Sequence, residues 1–267
     1  MIILSIDSST PVAGIAVADG ERLLGEVMLN TKNTHSEKLM PLIKQLLGEL
    51  EMTTQDVDVV AAMQGPGSFT GLRIGMATAK GLVQGAGKKL IAVPTLDCLA
   101  YNLVHYPGVI CPVMNAQKKQ VYTALYRSDE NGMTRLSDYQ AIPAEQLTQE
   151  LAQLGEDIWF VGDGAAVFAD VFERDLGKCC HLADGHQILP RAGTLAMLAA
   201  KRAQAGQFDD LFHYDLTVTY DDEWTKKNGT DELKKILNSN SDIKDNLQAD
   251  VLNYDVGKEN STVSTYI

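Results

Sequence analysis

The stretch Gln64-Gly-Pro-Gly-Ser-Phe-Thr-Gly-Leu-Arg-Ile-Gly75 limits what this chain can fold into more than any other. Gly65, Pro66 and Gly67 form a tight, irregular segment, because Gly admits φ values closed to other residues and Pro fixes φ near −65°. Ser68 and Thr70 both suit a helix N-cap. The helix they introduce is predicted over roughly Thr70 to Gly87. Within it Gly71, Gly75 and Ala79 recur every fourth residue and so share one face. A Gly inside a helix costs about 1 kcal/mol against Ala. Such a row implies that another backbone comes very close. Arg73 lies in the first turn, where the helix dipole disfavours a cation; an anionic partner is expected, from this chain or another.

The 267 residues allow one large domain or two small ones, and 45% hydrophobic content allows a sizeable core. No apolar run approaches the roughly 18 residues of a membrane span. Met1 leads straight into Ile2-Ile3-Leu4-Ser5-Ile6 with no basic segment, so no signal peptide is expected and the cytoplasm is the expected location. Cys98, Cys111, Cys179 and Cys180 lack C-x-x-C spacing and read as free thiols. A net charge of −12 argues against self-sufficient nucleic-acid binding. It leaves room for a subunit whose partner chain holds the nucleic acid.

Ile2 to Asp7 reads as a buried strand, Val12 to Ala18 as a second, and Arg22 to Leu29 as a third after the Asp19-Gly20 hairpin turn. The first turn carries Asp7, Ser8, Ser9 and Thr10. It either cradles a phosphate, with the carboxylate positioning a metal-bound water, or is an ordinary hydroxyl-rich hairpin. Thr34-His-Ser-Glu37 has capping-box spacing and opens a helix to about Leu50, with Pro41 predicting a kink or a later start. His35 reads as a capping or surface residue. Val57 to Met63 and Leu90 to Val93 are strands on either side of the glycine-rich helix, and Pro94 starts a third helix through Leu103.

The pattern restarts near Pro107-Gly108. Val109 to Ala116, Gln120 to Arg127 and a segment near Met133 to Ile142 are predicted strands, with Asn131-Gly132 as a hairpin turn. A helix over Pro143 to Leu154, the strand Ile158 to Val161, the turn Gly162-Asp-Gly164, a helix over Val167 to Leu176 and a last helix over Leu189 to Gln204 follow. A repeated meander-then-alternation pattern argues for two α/β lobes of one topology. They are placed at 1–105 and 106–213, with a third segment at 214–267.

The opening Ile-Asp-Ser-Ser-Thr, the Thr-His-Ser-Glu-Lys-Leu-Met-Pro-Leu-Ile helix and the Gly-Pro-Gly-Ser-Phe-Thr-Gly-Leu-Arg-Ile-Gly stretch, in this order, resemble the TsaB (YeaZ) family over about residues 1–212. The resemblance implies an actin-like ATPase (ASKHA) fold with two ribonuclease-H-like lobes. It implies a partner subunit of the bacterial machinery that makes N6-threonylcarbamoyladenosine in tRNAs reading codons that begin with A. A TsaD-like paralogue performs the transfer, a TsaE-like subunit supplies an ATPase, and tRNA is met only through the complex. TsaD-like chains carry a His-x-x-x-His metal site whose matching positions here are Thr95 and Leu99, which do not make a metal site. Asn115-Ala-Gln117 stands where an actin-like ATPase has an acidic residue, and Gly162-Asp-Gly164 is a thin version of the adenosine-binding turn.

The resulting expectation is a non-catalytic scaffold without a cofactor of its own. ATP or ADP with Mg at a subunit interface is the alternative, with Asp7, Ser8, Ser9, Thr10, Gly162 and Gly164 as the candidate nucleotide residues. Met40, Ile43, Leu47, Gly71, Leu72, Gly75, Met76 and Ala79 are the candidate partner interface, toward a TsaD-like chain or a second copy. Two rival functions are an ATPase or phosphotransferase working through Asp7 and the Ser8–Thr10 turn, and a peptidase, for which no Ser/His/Asp set is in view. Residues 214–267 depart from the family: six Lys, no Arg and eleven Asp plus Glu give a net charge of −5. They read as a polar extension with a short helix over Thr230 to Leu237. The sequons Asn228-Gly-Thr230 and Asn260-Ser-Thr262 would stay unused in the cytoplasm.

Overall fold

The structure, a computed structural model, describes residues 1–30, 35–116, 118–130, 132–211, 215–217 and 264–266. Strands β1 (Ile2–Asp7), β2 (Val12–Asp19) and β3 (Arg22–Asn30) form an antiparallel meander. β4 (Val59–Gly65) and β5 (Lys89–Pro94) add in parallel, in the order β3-β2-β1-β4-β5. β1, β2 and β4 are almost continuously apolar and buried, as strands covered on both faces must be. Helices α1 (His35–Glu49) and α2 (Phe69–Ala86) pack on one face. α1 runs through Pro41, so the later start that proline suggested is not seen. Thr34 and the side chain of His35, with their capping and surface roles, lie outside the described residues.

After β5, α3 (Thr95–Tyr101) leads to the second sheet. β6 (Val109–Asn115) pairs antiparallel with β7 (Gln120–Thr123) and with β8 (Tyr126–Asp129), which pairs in turn with β9 (Gly132–Arg135). β10 (Gln140–Pro143), β11 (Ile158–Val161) and β12 (Cys180–Leu182) complete the order β10-β7-β6-β11-β12. With the β8–β9 pair set aside, the order third, second, first, fourth, fifth is that of the first sheet too, so the repeated topology read from the sequence is present. α4 (Ala144–Ala152), α5 (Asp163–Val167) and α6 (Ala169–Leu176) belong to this lobe, where Phe160 stacks on Phe172 at 4.1 Å in the core.

Four expectations are corrected. Gln120 to Arg127 is two strands, because the Leu125 amide donates to Ser137 Oγ (2.9 Å) and the Leu125 carbonyl accepts from Leu136 (2.7 Å). This lets β8 leave the Asn115 end of β6 and pair with Val109 and Ile110. The segment near Met133 to Ile142 divides likewise into β9 and β10. β12 was not expected; its three residues, Cys180-His-Leu, carry almost no pattern.

The fourth correction concerns the lobe boundary at residues 106–213. The last helix, α7 (Ala192–Gln204), packs on the first lobe's sheet: Leu195, Ala196, Ala199, Ala200 and Ala203 join that core. An alanine face lets a helix sit close on a sheet. Ser5 Oγ donates to the Ala192 carbonyl (2.6 Å), and Glu26 pairs with Arg191 and accepts from the Gly193 amide (2.9 Å). Reciprocally, Leu96, Leu99 and Leu103 of the α3 region pack with Ile110, Met114 and Val161 of the second sheet. Each lobe therefore lends its last helix to the middle of the molecule. In the final segment, Asp215–Thr217 pairs antiparallel with Ser264–Tyr266. The helix expected over Thr230 to Leu237 and both sequons lie outside the described residues.

Candidate functional site

The Gly65-Pro66-Gly67 segment folds over the β1–β2 turn. The Ser68 amide donates to the Ser9 carbonyl (2.7 Å), and Ser8 Oγ donates to the Gly71 carbonyl (2.8 Å). Ser68 caps α2 by accepting from the Gly71 amide (3.3 Å), and Gly87 ends the helix with φ +65°. A Cβ on Gly67 would overlap the Ser9 carbonyl oxygen, one on Gly71 the Ser8 carbonyl oxygen, and one on Gly75 Ser8 Oγ. The backbone that the glycine row was expected to meet is thus this chain's own first turn.

That geometry corrects the interface assignment. Ile43, Leu47, Gly71, Leu72, Gly75, Met76 and Ala79 are all buried within the first lobe. Of the eight candidates only Met40, at 48% exposure, faces solvent. Arg73 is exposed and lies over the Phe69 ring at 5.1 Å; among the described residues no carboxylate pairs with it. The face α2 turns outward is a second row of small residues, Ala77, Gly81 and Gly85, four apart. Among the described residues nothing stands within 4 Å of where a Cβ would be on Gly81, Gly85 or the exposed Gly48 of α1. The sequence contained this second row at the same spacing; what it lacked was the phase that decides which row faces in.

The turn residues are brought together, but toward each other. Ser9 Oγ (2.7 Å) and the Ser9 amide (2.9 Å) both donate to Asp7 Oδ1, and Thr10 Oγ1 accepts from the Val12 amide (3.2 Å). Asp7 is 1% exposed, and burial pushes its carboxyl up to about 6 against the opposing pull of the two Ser9 bonds. Gly14, opposite Asp7 in the β1–β2 pair, packs against Ala192 at the start of α7. The hydroxyls are bonded within the chain and the start of α2 is pressed onto the turn. The turn as it stands does not fit a nucleotide phosphate.

In the second lobe Gly162 has φ +114°, and a Cβ there would overlap the Val113 carbonyl oxygen; one on Gly164 would stand 3.0 Å from the same atom. Gly162 is thus required by packing on β6, and a side chain at 164 would crowd the same strand. Asp163 is raised by burial while Oδ1 accepts from the Asn115 amide (3.2 Å). Gln117 lies outside the described residues. At the positions matched to metal ligands, Leu99 is core and Thr95 is fully buried with its hydroxyl unpartnered. One hydroxyl and an isobutyl group do not fit a metal ion. Among the described residues no three His, Cys, Asp or Glu side chains gather.

Two lobes of one ribonuclease-H-like topology, each passing its last helix to the interlobe layer, define an actin-like fold. A solved structure described as YeaZ from Pseudomonas aeruginosa superposes with a TM-score of 0.69 at 23% identity, over 79% of this chain and 95% of that one. The sequence profile of the family described as TsaD, tRNA N6-adenosine threonylcarbamoyltransferase, matches residues 22–232. The tRNA threonylcarbamoyladenosine biosynthesis protein TsaB of Bacillus subtilis is 31% identical over 205 residues, 77% of this chain and 90% of that protein. The Escherichia coli protein of the same name is 29% identical over 212 residues, 78% and 89%. The chain belongs to the TsaB (YeaZ) branch of this family.

Proposed function

We propose that this chain is a non-catalytic subunit of the assembly that forms threonylcarbamoyladenosine on tRNA, and that it pairs with a TsaD-like transferase through the outer face of α1 and α2. One observation carries the pairing surface. Gly81 interrupts the middle of α2 with open space where its side chain would be. A mid-helix glycine costs about 1 kcal/mol that nothing among the described residues recovers. The close approach of a partner helix recovers it, and Met40, exposed on α1, supplies an adaptable apolar contact. The same face suits a second copy when the transferase is absent.

The non-catalytic reading is supported by side chains that are already engaged. Asp7 is held by Ser9, Ser8 by Gly71, and the Thr95 and Leu99 positions are closed into the interlobe core. The ATPase and peptidase readings find no matching arrangement among the described residues. A TsaE-like ATPase completes the assembly, tRNA reaches this acidic chain only through it, and the cytoplasm is its place. No helix among the described residues is long and apolar enough to cross a membrane.

Reconstitution tests the reading. The TsaD-like and TsaE-like subunits, tRNA, ATP and the threonylcarbamoyl donor should yield modified tRNA only when this chain is added. Full activity without it, or ATP hydrolysis by this chain alone at the complex's rate, contradicts it.

A further inference from the structure

The outer side of α2 carries a charge that the fold leaves unanswered. Four residues before Ala77 in the row Ala77, Gly81, Gly85 stands Arg73, and four before that Phe69, so all five share one line along the helix. Arg73 is exposed, and its guanidinium lies over the Phe69 ring at 5.1 Å. Ser68 caps the helix with a neutral hydroxyl, and the first turn holds no acid. The positive pole of α2 and a guanidinium therefore stand together with no carboxylate paired to either among the described residues, an arrangement that a lone helix disfavours. On neighbouring α1, Met40, Lys44 and Gly48 are exposed at the same four-residue spacing, and the exposed acids Glu37 and Glu49 stand near its two ends.

We infer that the partner helix meeting this face carries an acidic side chain that closes on Arg73, and that this charge selects the transferase over a second copy of this chain. Such selection rests on the pairing surface proposed above and adds the chemistry by which that surface reads its partner. Arginine holds a carboxylate through two parallel N–H donors, and a guanidinium already resting on a ring gives up little further freedom in doing so. A phosphate would satisfy the same donors. A net charge of −12 repels a nucleic-acid strand, however, and the small-residue row that continues from Arg73 receives the ridge of a helix. A second copy has no acid to offer from α2. Phe69–Ala86 contains Arg73 and Lys80 and no Asp or Glu, so two copies laid α2 against α2 bring cations toward cations.

The test is titration of the full-length chain with the TsaD-like transferase by calorimetry, in low and in high salt. Arg73→Glu should weaken association at least about tenfold in low salt without lowering the melting temperature, because the side chain is exposed. Arg73→Ala should lose most of the salt dependence that the wild-type chain shows. Should Arg73→Glu misfold, Arg73→Gln is to be read in its place, with a smaller loss in the same direction. Self-association of the wild-type chain, read by analytical ultracentrifugation, should be at least about tenfold weaker than its pairing with the transferase. Wild-type affinity in the folded Arg73→Glu chain, unchanged salt dependence in Arg73→Ala, or self-association as tight as the pairing overturns the inference and leaves the pairing surface standing, since a bulky group at Gly81 tests that surface separately. Absence of any association between the wild-type chain and the transferase overturns both.

Discussion

On the inner face of α2, Gly71 and Gly75 are pressed against Ser8 so closely that a methyl group at either position would overlap it. On the outer face Gly81 and Gly85, in the same helix and at the same spacing, have nothing within 4 Å among the described residues. The inner glycines have a physical cause inside the fold, since they let α2 settle on the Ser8–Ser9 turn. The outer pair have none among the described residues. On the pairing proposed above, the glycines that face open space among the described residues are where a partner helix approaches. Inner substitutions should therefore act on folding, outer ones on association.

The largest effect is expected from Gly75→Leu. Its side chain has no room between Ser8 and Ile6, and overpacking of this kind costs about 3 kcal/mol or more. Thermal melts should show a fall of at least about 6 °C for a chain of this size, with or without a partner. A folded variant with an unchanged melt would remove the distinction between the two faces. Asp7, one residue before the contact, should have an effect of similar size and opposite sign. Its carboxyl sits at about 6 when folded against 3.8 for a free aspartate. The folded chain then holds a proton that the unfolded chain has released, so stability falls as pH rises from about 4 to 6 and stays low above that. Asp7→Asn should flatten this slope and add up to about 3 kcal/mol at pH 8, read from urea melts across the pH range. Asn still accepts from Ser9, so a destabilised variant at pH 8 would mean that the charge is held by something else.

Ser8 sharpens the comparison through coupling. Gly75→Ala alone should destabilise, because the new Cβ meets Ser8 Oγ, while Ser8 Cβ stands at an ordinary 3.5 Å. In a Ser8→Ala background the same change should be neutral or favourable, since helices prefer Ala to Gly by about 1 kcal/mol. A double-mutant cycle from denaturant melts measures this, and strict additivity would deny the contact. The smallest effect is on the outer face. Gly81→Ala should raise stability by about 1 kcal/mol, the reverse sign of Gly75→Ala at an equivalent spacing.

Much of this was legible beforehand for reasons that can be named. Asp19-Gly20, Ser68 and Gly87 are local signals, and the hairpin and both ends of α2 fall where those residues put them. The paired lobes followed from period and order. What was illegible needs two distant segments at once. Nothing within Ala192–Gln204 says that its alanines lie on a sheet made of the first residues of the chain. Nothing within Phe69–Ala86 says which of two small-residue rows meets Ser8. The glycines at 162 and 164 read as a nucleotide turn because the Val113 carbonyl they make room for is far away in sequence. At Gly71 and Gly75 the sequence marked the unusual backbone, and the approaching backbone is Ser8's own.

The measurement that bears most directly on the division between the faces is the affinity of Gly81→Trp for the TsaD-like transferase, taken beside its melting curve. A Cβ there meets nothing within 4 Å among the described residues. The expected result is a wild-type melt, retained secondary structure and association weakened by at least about a hundredfold, as for a bulky group at the centre of an interface. Wild-type affinity in a folded Gly81→Trp chain would contradict the outer face as the pairing surface.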